Sequence, residues 1–485
     1  MRNMKTSTKA SLKIDFIVAG GGLAGLSTAH SLAMAGHSVR VFERISEGER
    51  WTGGIRVPPN LTKILFQWGV EEELQKTCCT VLRTCLGDLD SGETIGYLPW
   101  AEEVQAESGA PFYTMQYCEL LDILRRLALS EGVEIVHGAV VAFASPALSN
   151  PDSRAEPRTD ASRPSITLTD GRTLYADVII GADGPLSAVR RCVEEEPTIP
   201  HWDGCIYFSG VIPMKDLESE EDLNNQDIMS GYIWCGAHNA ANGFPVSNAT
   251  EYAVNLWYRS SIPNAEEGWL ATLSPNHFKH QFSHVEKRLV KIMGKLTTVS
   301  WTRQLEWPTI EDWVDESGRI VLVGDAARPS SPGSMHGAAA TVESGVVLGT
   351  LFSHLRSYDE IPTLLYAYQE LSQPRMQVLE TLENTNVAIC FMPPGPERDA
   401  RNKLLKQSLA SLRYTPSEMD DLVAQWWTNY HVWTYNAFDE ANDWWAGWSA
   451  LKAHSLQGEG EMKGEDLRWK GIQFEAMDIT VERSG

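Results

Sequence analysis

The first clear pattern along the chain is a short apolar run, Ile14-Asp15-Phe16-Ile17-Val18-Ala19, which reads as a buried strand. Glycines follow it. Leu23 to Ala35 then carries small and apolar residues at helical spacing, and Ser38 to Glu43 alternates as a second strand. A strand, a helix and a strand this close together commit the two strands to parallel pairing. Further on, Leu120, Leu124 and Leu127 predict a helix over Glu119 to Ser130, and Val133 to Phe143 reads as one strand. Ile166 to Leu168 and Thr173-Leu174 flank Asp170-Gly171, a hairpin signal. Asp177 to Ile180 and Ile320 to Gly324 are buried strands, and Thr341 to His354 is a helix. Between them, residues 200–310 are rich in Tyr, Trp and Phe and alternate over Cys205 to Ile212 and Glu251 to Arg259, the pattern of a mostly antiparallel sheet.

The predicted architecture is therefore α/β and doubly wound. Residues 14–199 and 311–394 are two parts of one domain, with a polar surface insertion at 148–165, and 200–310 is a second domain built on the antiparallel sheet. Residues 395–485 hold seven of the chain's 17 tryptophans: Trp426, Trp427, Trp433, Trp444, Trp445, Trp448 and Trp469. They predict a helical C-terminal cap that buries aromatic bulk.

Composition narrows the function. The chain has 485 residues and a net charge of −23, which argues against a nucleic-acid partner, since phosphate binding needs a basic face. Its eight cysteines fall in no paired CxxC arrangement and suit a reducing compartment. No metal site is expected, because no HExxH or Cys/His cluster has ligand spacing. The absence of GxSxG removes support for hydrolase chemistry. Ile14 to Ala35 is broken by glycines and is no membrane span, so the expected location is cytoplasmic.

Three motifs carry chemistry. In Gly20-Gly21-Gly22-Leu23-Ala24-Gly25, Gly20, Gly22 and Gly25 satisfy GxGxxG between a strand and a helix. The first glycine permits the turn, the second admits a pyrophosphate to the backbone, and the third lets helix and strand close-pack. The N–H groups of Leu23 and Ala24 open the helix toward the phosphates. Glu43, at the end of the second strand and next to Arg44, stands where an acid grips a ribose diol. The second motif is Gly181-Ala182-Asp183-Gly184-Pro185-Leu186-Ser187-Ala188-Val189-Arg190, between a strand and a predicted helix. The third, Gly324-Asp325-Ala326-Ala327-Arg328-Pro329, continues through Pro332, Gly333, His336, Gly337 and Ala338 into another helix.

With these motifs in this order, residues 14–450 resemble the group A FAD-dependent aromatic hydroxylases, and more narrowly the fungal salicylate-hydroxylase-like FAD monooxygenases. The resemblance implies the FAD-binding fold shared by glutathione reductase and p-hydroxybenzoate hydroxylase. It implies that Glu43 binds the adenosine ribose and Asp325 the ribityl chain, and that Gly337 and Ala338 turn backbone N–H groups to the flavin's pyrimidine edge. It associates Asp183 with FAD and the nicotinamide nucleotide, and places Gly54 and Arg56 in a stretch near the flavin ring. It further implies NADH or NADPH as transient co-substrate, O₂, and hydroxylation of a small aromatic or phenolic substrate through a flavin C4a-hydroperoxide. Decarboxylation accompanies this if a ring carboxylate lies ipso. A homodimer is left open. The rival readings are a flavin oxidase, dehydrogenase or epoxidase on the same fold, or a flavin-binding interaction protein.

The chain departs from this pattern in places. Gln116 stands where relatives place a phosphate-contacting Arg, Arg328 where they place His, Ser209 where many carry Arg, and Phe244 where Tyr is common. Tyr207, Ser209, Trp234, Phe244, Trp257 and Pro332, with Arg56, are the expected substrate-binding residues, an aromatic wall suited to a flat ring. Tyr232, His238 and Arg259 are the catalytic candidates, and no base for a phenol is evident.

Overall fold

A computed structural model describes residues 8–99, 102–146, 162–194, 197–223, 226–259, 268–277, 282, 284–410 and 431–457. A five-stranded parallel sheet begins with Asp15–Ala19, which pairs with Ser38–Glu43 on one side and Val178–Gly181 on the other. Glu134–His137 and Ile320–Leu322 extend it to the two edges. Its central strands are almost wholly buried, as a parallel sheet covered on both faces requires. One helix, Leu23–Met34, packs on the helix Gly337–Phe352, and two glycines make this possible. A Cβ on Gly345 would lie 2.7 Å from the Thr28 nitrogen, and one on Gly349 would lie 2.3 Å from the Ser31 Cβ.

The second large element is an eight-stranded sheet. His201–Pro213 lies between Val299–Glu306 and Glu251–Arg259, followed by Ala240–Val246 and Tyr232–Cys235. The sheet is wider than residues 200–310 predict. Arg83–Asp88 pairs in parallel with Tyr232–Cys235, and Thr94–Pro99 closes that edge, so the first half of the chain donates two strands. The pleat sorts side chains to two faces. On the back face, Phe208, Tyr232, Trp234, Tyr252 and Trp301 form a core with Leu289, Ile292 and Met293 of the helix Lys287–Lys295. By register, the front face carries Tyr207 and Ser209, then Asn255 and Trp257, then Asn242 and Phe244.

Two local expectations give way. Val133 to Phe143 is two strands in two sheets: Gly138 turns at φ +68°, sending Glu134–His137 into the parallel sheet and Val141–Ser145 against Ser165–Leu168. The second motif leads into only a short 3₁₀ turn at Arg190–Cys192, not an α-helix. The Asp170-Gly171 hairpin forms as expected, with Gly171 at φ +89°. Most of the insertion at 148–165 lies outside the described residues.

The chain divides into two units, residues 1–442 and 443–485. In the first, Trp433 is buried against Phe112. In the second, Trp444 stacks on Trp448 at 6.0 Å, and Lys452 lies over the Trp448 ring. Trp426, Trp427 and Trp469 lie outside the described residues. Among the described residues, no helix is long and apolar enough to cross a membrane.

Candidate functional site

The three motifs, separated by some three hundred residues of chain, close on one another in pairs. A Cβ on Gly20, whose φ is +101°, would lie 2.3 Å from the Ala182 carbonyl oxygen, so the first motif is packed on the second. A Cβ on Gly324, at φ +61°, would lie 2.7 Å from the Ala24 Cβ, so the third is packed on the first. Arg190 joins the second to the third: its Nε donates to the Ala326 carbonyl at 2.7 Å and its Nη2 to the Asp325 carbonyl at 3.2 Å. Arg190 is itself buried, paired with Glu194 at 3.6 Å and lying over the Trp307 ring.

The glycine-rich turn shows where a ligand approaches. A Cβ on Gly25 would sit 1.9 Å from the Gly20 carbonyl oxygen, whereas one on Gly22 meets nothing nearer than the Tyr117 hydroxyl at 3.7 Å. Gly25 is needed for packing, and Gly22 faces open space at the N-terminus of Leu23–Met34, with the helix dipole behind it. The Glu43 carboxylate accepts from the Gly21 N–H and, at 2.7 Å, from the Ile45 N–H, which fixes it beside the turn. Arg44 is exposed. Asp325 accepts the Ser330 N–H at 3.0 Å, and burial pushes its carboxyl above the usual range. Tyr117 stands over the turn and interacts electrostatically with both Asp325 and Glu43; Trp51 meets its ring edge-on at 4.5 Å. Neither aromatic was signalled by a motif. Tyr117 is tied to the chain just after Trp51 by its N–H, which donates to the Gly53 carbonyl.

At the far end, His336 precedes the helix Gly337–Phe352. Its ring is 1% exposed and neither ring nitrogen has a hydrogen-bond partner within the protein. Burial lowers its pKa to about 3, so the imidazole is neutral. Gly337 and Ala338 open the helix beside it, and the Gly337 N–H donates to Ser334 Oγ at 3.0 Å.

Several expected residues are placed otherwise. Gln116 ends the strand Tyr113–Gln116 and caps the helix Tyr117–Ser130 in a capping box with Glu119. Its amide donates to Ser247 and Glu251, so both N–H groups are used and none is left for a phosphate. Asp183 accepts from Ser187 Oγ at 2.5 Å and the Ala188 N–H at 2.7 Å, and thereby shapes the turn that presents Arg190. Trp234 and Tyr232 are on the back of the large sheet, not in its front wall: the Trp234 indole donates to Glu286 at 3.1 Å, and the Tyr232 hydroxyl accepts from Arg288. His238 is exposed in the turn between two strands, and Arg259 is exposed at a strand end. For Tyr232 and Trp234 strand parity decides, since adjacent residues on a strand point to opposite faces.

The front face keeps Tyr207, Ser209, Phe244 and Trp257. The hydroxyls of Tyr207 and Ser209 both donate to Asn255 Oδ1, at 2.8 and 2.7 Å, and Asn255 donates on to Asn242. Burial pushes the Tyr207 phenol up to about 12, so it stays protonated. The Trp257 indole donates to the Pro332 carbonyl at 3.2 Å. A Cβ on Gly333, at φ +73°, would collide with Trp257 and Tyr207. A Cβ on Gly54 would meet Ala253 and Phe244, so the strand Gly54–Val57 also lies on this wall. Its Arg56 lies 5.9 Å over the Phe244 ring and donates to the Gly333 carbonyl. Arg328 pairs with Glu380.

Among families of known proteins, one described as an FAD binding domain matches residues 13–382. The chain belongs to this family. Of its relatives, the FAD-dependent monooxygenase OpS4 of Beauveria bassiana (strain ARSEF 2860) is 25% identical over 81% of this chain and 89% of that protein. The 3-hydroxybenzoate 6-hydroxylase of Klebsiella oxytoca is 25% identical over 82% of this chain and 94% of that protein. Among solved structures, CtdE in complex with FAD and a substrate has a TM-score of 0.72 at 18% identity, covering 91% of this chain and 100% of that one. This flavin monooxygenase is therefore of the FAD-dependent hydroxylase kind that its motifs resemble. The site fits the cofactor: open space over Gly22 for the pyrophosphate, Glu43 fixed beside it, and an unsatisfied His336 with a helix N-terminus at the other end.

Proposed function

We propose that this flavin monooxygenase hydroxylates a small phenolic or otherwise electron-rich aromatic ring, with NADH or NADPH as reductant and O₂ as the source of the oxygen atom. The observation that carries the reading is the front wall of the large sheet. Tyr207, Trp257 and Phe244 stand on this wall, and Trp257 and Tyr207 bear directly on the Pro332–Gly333 loop that runs into the cofactor's helix N-terminus. Bound FAD supplies the electron transfer and oxygen activation; the protein's part is to bind, orient and exclude water. Tyr207, Trp257 and Phe244 suit the flat face of a ring. The Asn255–Asn242 ladder fixes the Tyr207 hydroxyl as a neutral donor, not a charge. The helix N-terminus at Gly337 and Ala338 favours negative charge at the flavin's pyrimidine edge. The single guanidinium of Arg56 over Phe244 supports a neutral or singly ionised ring over a dicarboxylate.

The test is NAD(P)H oxidation by the FAD-loaded enzyme with a simple phenol, a hydroxybenzoate and a phenolic dicarboxylate, followed by product analysis after turnover in ¹⁸O-labelled O₂. Stimulated oxidation with label in a hydroxylated product is expected. Oxidised product without label would point to an oxidase or dehydrogenase instead.

A further inference from the structure

The long helix Ile361–Cys390 brings a carboxylate to the front wall. Glu383 and Cys390 lie about two turns apart on it, and both interact with the Arg56 guanidinium. Cys390 hydrogen-bonds Cys235, whose register with Ala240 puts it on the front face of the large sheet. Arg56 also interacts with the Tyr207 phenol and donates to the Gly333 carbonyl. Arg56, Tyr207, Gly333 and Glu383 thus converge where the ring would be held.

Glu383 is built to handle a proton there. Its Oε1 accepts the His336 N–H at 2.8 Å, which fixes the carboxylate. Burial pushes its carboxyl above the usual range, with Arg56 opposing the shift. The other acids nearby are engaged: Glu380 pairs with Arg328, and Glu343 is gripped by Arg375 through both oxygens and by Asn60. His336, held neutral by burial, is bonded to it through its backbone, and the Tyr207 phenol and the Cys390 thiol interact with the same Arg56. Glu383 also lines a cavity of about 70 Å³, where Ser330, Ser331, Ser334 and Asn384 stand beside the apolar Met376 and Leu379.

We propose that Glu383 is the general base of the hydroxylation. The phenolic O–H bond breaks, its proton passes to the Glu383 carboxylate, the electron pair stays on the oxygen, and Arg56 receives the phenolate. The extra electron density at the ring carbons is what hydroxylation requires. The inference rests on the phenol-hydroxylase reading above.

The experiment compares the FAD-loaded wild-type enzyme with Glu383→Gln and Glu383→Asp. Binding is read from the difference spectrum of 4-nitrophenol, whose phenolate is yellow and whose phenol is not, at a pH where the free compound is largely protonated. Wild type should bind it as phenolate and Glu383→Gln as phenol, with Glu383→Asp between them. In turnover, Glu383→Gln should lose about 10²-fold or more on weakly acidic phenols, and the loss should shrink on polyfluorinated phenols that arrive ionised. A Glu383→Gln enzyme that binds phenolate like wild type, or loses equally on all phenols, overturns the role of Glu383. If Glu383→Gln does not fold, Glu383→Asp decides by the same spectrum, and a wild-type yield of phenolate from it overturns the proposal. A wild-type enzyme that neither binds nor hydroxylates any phenol overturns the phenol-hydroxylase reading, and this inference with it.

Discussion

Arg190 is the residue on which the three-motif cleft is most exposed to a single change. It is buried, and its side chain donates to two carbonyls of the turn that carries Asp325, pairs with a buried Glu194 at 3.6 Å and covers Trp307. Arg190→Ala leaves Glu194 without its cation, and removing one partner of a buried pair costs about 3–5 kcal/mol. The orphaned carbonyls and the lost ring contact belong within that figure, because all of them report one side chain. The turn would loosen, and with it Asp325. If the flavin loses one charged hydrogen bond as a result, that is worth about 1.5–3 kcal/mol, roughly a 10- to 150-fold weaker Kd. Arg190→Lys keeps the charge but cannot fork to both carbonyls, so it should fall between. The assays are urea unfolding of the apoprotein and titration with FAD followed by flavin fluorescence. An Arg190→Ala protein that unfolds at the wild-type urea concentration and binds FAD with wild-type affinity would refute the claim that this arginine ties the motifs together.

Gly22→Ala should fold and bind FAD more weakly, whereas Gly25→Ala should fail to fold, since its Cβ would sit 1.9 Å from the Gly20 carbonyl oxygen; circular dichroism and FAD titration separate the two. Glu43→Ala should weaken FAD binding by about 1.5–3 kcal/mol through loss of a charged acceptor, and Asp325→Ala should do likewise from the other end of the cofactor. Flavin occupancy equal to wild type in both variants would remove these residues from the site.

The parallel sheet and the cofactor turn were legible in sequence because their signals are local. Ile14 to Ala19, the glycines and Glu43 sit within one βαβ unit, where spacing and chemistry coincide. The front wall was only half legible. Tyr207 and Trp257 were expected in it and are there, but Trp234 was expected too and lies on the back, with the catalytic candidate Tyr232, because composition does not reveal the parity of a strand. Arg83–Pro99 joins the large sheet from over a hundred residues upstream, a pairing that no local pattern encodes. Glu383 escaped notice for the opposite reason: it sits in a long helix beside Glu380, and an acid on a helix reads as a solvated face until the fold turns it toward Arg56.

The cation of the pocket illustrates how far substitution at one aligned position can mislead. With Ser209 where relatives carry Arg, the pocket reads as less polar. In the structure Ser209 is 1% exposed, donates to Asn255, and lies under Gly53, where even a Cβ on the glycine would come within 2.7 Å of its hydroxyl oxygen. There is no room for a guanidinium. The cation is instead Arg56, two residues beyond Gly54, reaching the same wall from the strand that crosses it. Ser209→Arg should therefore not restore a carboxylate clamp. It would bury an unpaired charge, strip Asn255 of a donor and press on Gly53, a loss of several kcal/mol, readable as a lowered unfolding midpoint with no gain in salicylate binding. Arg56→Met, by contrast, should leave the wall folded and weaken binding of ionised phenols more than neutral ones. A stable Ser209→Arg enzyme that binds salicylate more tightly than wild type would show that the wall opens at Gly53, and that the two positions are alternatives on one pocket, not an exchange of one cation for another.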